Sequence, residues 1–126
     1  MIPIISEKQA RYLDKRTVQL GISESQLMKN AGLGIAKFFI NNIIDPFSKN
    51  VLVIAGPGNN GGDAIIARYY LNHFGIQTSL MVFKKEQLES QLFKQYSIPN
   101  DKPLIFKISG DLPNCDWIIE GIFGIG

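Results

Sequence analysis

Apolar positions recur along the chain in two rhythms, and the change between them divides it. In the first third they fall three and four residues apart. Ser6-Glu7-Lys8-Gln9 has the spacing of a capping box, and Ala10, Leu13, Thr17 and Leu20 then mark one helical face that Gly21 closes. Ser23-Glu24-Ser25-Gln26 repeats the start signal, and Leu27, Met28, Ala31, Ile35, Phe38 and Phe39 follow before Asp45-Pro46 ends the segment. The spacing predicts two helices, Ser6 to Leu20 and Ser23 to Asn41. Gly32 and Gly34 inside the second each cost about 1 kcal/mol against alanine, so a close backbone approach is expected to offset them. Met28, Phe38 and Phe39 read as core or as dimer interface, with Ala31, Gly32, Gly34 and Ala36 allowing helices to approach closely.

From Val51 the rhythm changes. Val51-Leu52-Val53-Ile54-Ala55 is a continuous apolar run, as in a strand covered on both faces. Gly56 to Gly62 forms a glycine loop, and a helix is expected from Asp63 to about His73, ended by Gly75. Gln77 to Phe83 reads as a second strand, Glu86 to Tyr96 as a helix, Leu104 to Ile108 as a third strand and Asp116 to Glu120 as a fourth. Strands alternating with helices at this spacing predict a parallel, doubly wound α/β sheet preceded by two helices. Gly121-Ile-Phe-Gly-Ile-Gly126 reads as a strand-to-loop transition, so the chain is expected to be an incomplete or shortened domain.

Composition narrows the function classes. At 126 residues the chain suits one domain and not two, and 45% hydrophobic against 19% charged residues excludes a disordered tail. Thirteen basic and eleven acidic side chains leave a formal charge of +2, without the basic bias of a nucleic-acid-binding domain. A single cysteine, Cys115, allows no internal disulfide and no multi-cysteine zinc site, and the single histidine, His73, excludes a His-rich metal centre. The opening Met1-Ile-Pro-Ile-Ile-Ser lacks a basic region and is too short for a signal peptide core or a membrane span. These features predict a cytoplasmic protein with no membrane or nucleic-acid partner.

The glycine loop carries the candidate chemistry. Gly56-Pro57-Gly58-Asn59-Asn60-Gly61 matches the dinucleotide fingerprint between a strand and a helix, although that match alone is weakly specific. The second strand ends in Val82-Phe83-Lys84-Lys85 rather than in an acid, so an ordinary NADP module would need the lysines for a 2′-phosphate. Asp63, expected in the first helical turn, would confront a pyrophosphate with like charge; alternatively it simply favours the helix dipole. Two asparagines between glycine pairs offer carbonyl oxygens and amide donors, which suits an uncharged polar ligand or a hard monovalent cation. The plainer alternative is a tight turn.

The string Gly56-Pro-Gly-Asn-Asn-Gly-Gly-Asp63 resembles the signature loop of the YjeF N-terminal domain family, the NAD(P)HX epimerases. Leu27-Met28-Lys29-Asn30-Ala31-Gly32 resembles that family's Leu-Met-Glu-Asn-Ala-Gly helix, and Asp116 to Gly126 resembles its Asp-x-x-x-Asp-Ala-x-Phe-Gly-x-Gly strand and loop. The three blocks keep the family's order and span nearly the whole chain. The resemblance implies a Rossmann-like three-layer α/β/α sandwich with a mostly parallel sheet, usually a homodimer. It implies interconversion of the R and S hydrates of NADH and NADPH (NADHX and NADPHX), beside or fused to an ADP- or ATP-dependent dehydratase. Asn59, Asn60, Gly61, Gly62 and Asp63 would bind the hydrate with Gly124, Ile125 and Gly126, and Asn60 and Glu120 would hold a potassium ion.

The departures are as specific as the matches. Glu120 stands where the family has aspartate, extending the carboxylate by about 1.5 Å, one carbon–carbon bond. Lys29 reverses a charge in the helix block. The family's later Asp-x-Pro-Ser-Gly segment, which supplies the acid/base aspartate, has no counterpart here, so no catalytic residue is assigned. Of the rest, His73 reads as a helix cap, Cys115 as an inert thiol, Trp117 as core and Lys84-Lys85 as a solvated strand end. The alternatives to an epimerase are a non-catalytic nucleotide-binding or dimerising module, or the ordinary NADP module.

Overall fold

Five of the six residues in the first strand are buried, and the rest of the molecule is arranged around them. The computed structural model describes residues 22–122. Strand β1 (Asn50–Ala55) pairs in parallel with β2 (Gln77–Val82) on one side and β4 (Trp117–Gly121) on the other. The two-residue β3 (Leu104–Ile105) adds to β2, giving the order β3-β2-β1-β4. Ala55 is in register with both Val82 and Gly121, so the three long strands finish level. At the opposite end Asp116 fastens β4 to β1. Its backbone N–H donates to the Asn50 carbonyl and its carboxylate accepts from the Asn50 N–H, both at 2.8 Å.

Helix α1 (Glu24–Asn42) is capped by Ser23, whose hydroxyl accepts from Gln26 N at 3.2 Å. Helix α2 (Asn59–His73) crosses it on one face of the sheet. There Ile35, Ala36 and Phe39 of α1 and Ala64, Ile65, Ala67 and Leu71 of α2 enclose Val51, Val53, Ala55, Leu80, Val82 and Ile119. Trp117 joins this core through an edge-on contact with Phe39, ring centres 6.4 Å apart. The other face collects Leu52, Ile54 and Met81 with Phe83, Cys115, Ile118 and Ile122. The result is a Rossmann-like α/β fold. The expected first helix, Ser6 to Leu20, lies outside the described residues.

Several expectations are corrected. Helix α2 begins at Asn59, not Asp63, so the asparagines and glycines of the loop form its first turn and Asp63 lies beyond that turn. An acidic first-turn partner for the helix dipole is therefore absent. The expected Glu86–Tyr96 helix is broken into a 3-10 turn (Lys85–Glu89) and a short α3 (Gln91–Gln95). Ser90 makes the break: its hydroxyl accepts from Phe93 N at 3.1 Å and donates to the Gln87 carbonyl at 2.9 Å. Strand β3 is shorter than Leu104–Ile108, because only one further bond, Phe106 N to the Val82 carbonyl at 2.8 Å, continues it.

The two helical glycines also part company. A Cβ on Gly32 would lie 2.6 Å from Ile66 Cβ and 2.9 Å from Ala67 N, so this is where α1 and α2 touch. Gly34 has nothing within 4 Å and no close approach to offset its cost. Ala36 is buried as well, so the Gly32–Ala36 approach serves packing within one protomer rather than between two. Phe38, expected in the apolar stripe, is exposed, whereas Phe39 is fully buried. At the end of α2 the cap is Phe74 rather than His73, and Gly75 at φ +101° turns the chain so that Ile76 N reaches the Leu71 carbonyl at 2.9 Å. No helix among the described residues is long and apolar enough to cross a membrane.

Candidate functional site at the ends of β1 and β4

From β1 the chain moves through β2 to β3 on one side, then returns to place β4 on the other. The order therefore reverses between β1 and β4. In an open parallel sheet the carboxyl ends at such a reversal leave a crevice, because the loops leave in opposite directions. The glycine loop and Glu120-Gly121-Ile122 both lie at this end.

The backbones there are packed to the limit that glycine allows. Gly56 N–H donates to the Gly121 carbonyl at 2.7 Å, extending the β1–β4 ladder one step beyond the strands. A Cβ on Gly56 would stand 2.9 Å from Ile122 Cα and 3.0 Å from the Gly121 carbonyl oxygen. On Gly61 it would intrude on the Gly56 carbonyl, with its carbon at 2.9 Å and the Gly56 nitrogen at 3.2 Å. On Gly121 it would meet the Asn60 carbonyl and Ala64 Cβ, the latter at 3.1 Å. On Gly62 it would meet the Met28 sulfur at 2.6 Å and Leu92 at 3.2 Å. Four glycines thus let the first turn of α2 settle directly on the ends of β1 and β4, with α1 and α3 behind it.

The expected site residues divide accordingly. Asn59 is exposed at the lip, while Asn60 and Asp63 are each only 8% exposed and Gly61 and Gly62 are buried. The Asn60 backbone carbonyl abuts Gly121. Strand alternation puts Trp117, Ile119 and Gly121 towards α2, and Glu120 with Ile118 and Ile122 on the opposite side. The half-buried Glu120 carboxylate accepts the Ile122 N–H at 3.2 Å. Gly124, Ile125 and Gly126 lie outside the described residues. Among the described residues no group of three or more His, Cys, Asp and Glu side chains is placed to hold a metal. Asn60 contributes an amide on the α2 side and Glu120 a carboxylate on the opposite side of β4, so the described residues do not bring these two oxygen donors together.

Two features escaped the reading of the sequence. Gln87 bridges the carboxyl ends of β1 and β2 through its side-chain amide. Arg68, from α2, is buried and forms a two-pronged ion pair with Asp101 at 2.6 and 2.5 Å, while its Nε donates to Thr78 Oγ1 at 3.0 Å. The other weighed residues take structural places. His73 stacks on Tyr69, Cys115 is half-buried, and Lys84 and Lys85 are exposed.

Comparison with known proteins agrees with this geometry. The family model described as "YjeF-related protein N-terminus" matches residues 24–126. Curated proteins named NAD(P)H-hydrate epimerase are similar over nearly the whole chain. That of Aspergillus fumigatus is 34% identical, covering 95% of this chain and 52% of the relative. The Fusarium vanettenii protein is 32% identical over 98% of this chain and 53% of its own length, and the Ajellomyces capsulatus protein 36% over 95% and 52%. The chain spans about half the length of the curated relatives it matches.

Proposed function

This chain belongs to the YjeF-related protein N-terminus family, and from that membership we propose that its protein epimerises the R and S hydrates of NADH and NADPH. The observation that carries the reading is where the fold places the asparagine–glycine loop. Asn59, Asn60, Gly61, Gly62 and Asp63 sit in the opening turns of α2 where the strand order reverses, held there by glycines at 56, 61 and 121. A hydrated nicotinamide differs from the intact ring by a hydroxyl on a saturated carbon. Recognising it calls for neutral donors and acceptors, the chemistry that asparagine amides carry. The buried Asp63 carboxylate close behind the loop disfavours an ordinary pyrophosphate cradle.

In this reading Asn59 and Asn60 orient the hydrate, Gly61 and Gly62 admit it close to the backbone, and Asp63 accepts hydrogen bonds from its hydroxyl groups. Gly124, Ile125 and Gly126 complete the binding loop. The family resemblance, rather than the arrangement of these residues, names Asn60 and Glu120 as oxygen donors for a potassium ion, which when bound supplies a fixed positive charge beside the substrate. Epimerisation inverts the carbon that bears the hydroxyl, so a bond from that carbon to oxygen or nitrogen must break and re-form, and a general acid–base group close to it has to carry a proton to and from the heteroatom. The protein acts in the cytoplasm as a homodimer, its substrate shared with an ADP- or ATP-dependent dehydratase.

The test starts from pure R hydrate and follows the S form by chromatography, with the full-length protein. Conversion well above the spontaneous rate, lost on Asn60→Ala, supports the proposal. Tight binding of intact NADPH that depends on Lys84 and Lys85, without conversion of the hydrate, would replace it with the ordinary NADP module.

A further inference from the structure

Gln87 stands on the far side of β1 from the crevice, where β1 and β2 separate beyond their last paired residues, Ala55 and Val82. Its side-chain oxygen accepts from Phe83 N at 3.0 Å and from Lys84 N at 2.8 Å. Its amide nitrogen donates to the Ala55 carbonyl and to the Gly56 carbonyl, each at 3.0 Å. Every hydrogen-bonding position of the amide is thereby used, two accepting and two donating. The orientation follows from the partners, since a flipped amide would set N–H against N–H and oxygen against oxygen.

These four contacts tie the ends of β1 and β2 together on one side of the glycine loop. The Gly56 carbonyl that Gln87 holds is the group Gly61 packs against, and Gly56 N–H holds the Gly121 carbonyl in turn. Gln87 therefore fixes the peptide at which the glycine loop leaves the sheet, two peptides before Asn59. We infer that Gln87 is a positioning residue that sets the ligand-facing geometry of the glycine loop. The role that geometry plays for a hydrated dinucleotide rests on the reading above; the fixing of the loop does not.

Glutamate is the discriminating substitution. Gln87→Glu keeps an oxygen for Phe83 N and Lys84 N but turns a second oxygen on the Ala55 and Gly56 carbonyls, whereas Gln87→Met removes all four bonds at similar length. The experiment measures amide hydrogen exchange and the dissociation constant of the hydrate of NADPH in the full-length protein and both variants. Expected for Gln87→Glu is exchange at least tenfold faster across 56–61, unchanged exchange in the second half of α2, and hydrate binding at least tenfold weaker. Gln87→Met is expected to fall between it and the wild type. Exchange at 56–61 within twofold of wild type in both variants would overturn the inference, and so would faster exchange with unaltered hydrate affinity. Faster exchange confined to the loop, with a wild type that binds no hydrate, would uphold the positioning role while removing the epimerase reading.

Discussion

Replacing Gly61 by alanine sets two effects against each other, and the structure decides the sign. Gly61 lies in the first turn of α2, and alanine is favoured over glycine within a helix by roughly 1 kcal/mol. Propensity alone therefore forecasts a more stable protein. The added methyl, however, would intrude on the Gly56 carbonyl, with the carbonyl carbon at 2.9 Å and the Gly56 nitrogen at 3.2 Å. Neither can yield alone, because Gly56 is bonded through its N–H to the Gly121 carbonyl and through its own carbonyl to Gln87. Forced overpacking costs about 1–3 kcal/mol, and losing one of these bonds adds about 1 kcal/mol. The net expectation for Gly61→Ala is a loss of about 1–3 kcal/mol. For a domain of this size that is roughly 3–12 °C in Tm. Urea unfolding followed by circular dichroism measures it, with Gly58→Ala as control, since Gly58 has nothing within 4 Å and an ordinary φ of −94°. A Gly61→Ala protein as stable as the wild type would show that the helix terminus is not seated on β1 as described.

What the sequence discloses and what it hides follow from the range of the interactions concerned. The Val51–Ala55 run and the Ser23 cap depend on neighbours within a few residues, and both stand as read. The start of α2 was misplaced by four residues because Asn-Asn-Gly-Gly has poor helix propensity. Its helical geometry comes from seating on Gly56 and Gly121, and residue 121 is sixty positions away in sequence. Leu88, Leu92 and Tyr96 all pack on the core, so their spacing mimicked one continuous helix across the break at Ser90. Gly32 and Gly34 look alike locally, and only the position of Ile66 distinguishes them. Gln87 was invisible for the same reason: two of its partners are main-chain carbonyls 31 and 32 residues away. In the candidate site the motif picked out the loop, but the seating of its Asn60 carbonyl on Gly121 needed the strand order.

The remaining expectations are separate from the glycine loop or test it differently. Gly34→Ala should gain up to about 1 kcal/mol in urea unfolding, because the position is exposed, mid-helix and uncrowded. Tyr96, pushed above the ordinary tyrosine range by burial and then by Tyr70 and Tyr69, should titrate late in an ultraviolet pH scan. Its contribution to stability should be complete below about pH 10 and fall as the pH rises through the raised folded value. If Asn60 and Glu120 hold potassium, KCl should raise Tm more than equal NaCl, and Glu120→Gln should abolish the difference. The ion pair of Arg68 and Asp101 gives the last test. Their side chains are 4% and 13% exposed, and the pair joins α2 to the segment before β3 while Thr78 ties Arg68 to β2. Removing one partner of such a pair strands a buried charge and costs about 3–5 kcal/mol. Replacing both by apolar side chains leaves nothing stranded and can be nearly neutral. Arg68→Met and Asp101→Leu should therefore each lower unfolding stability by about 3 kcal/mol, with the double variant recovering most of that loss. Additive losses in the double variant would mean that the two side chains act independently, and the buried pair would not be what joins α2 to β3.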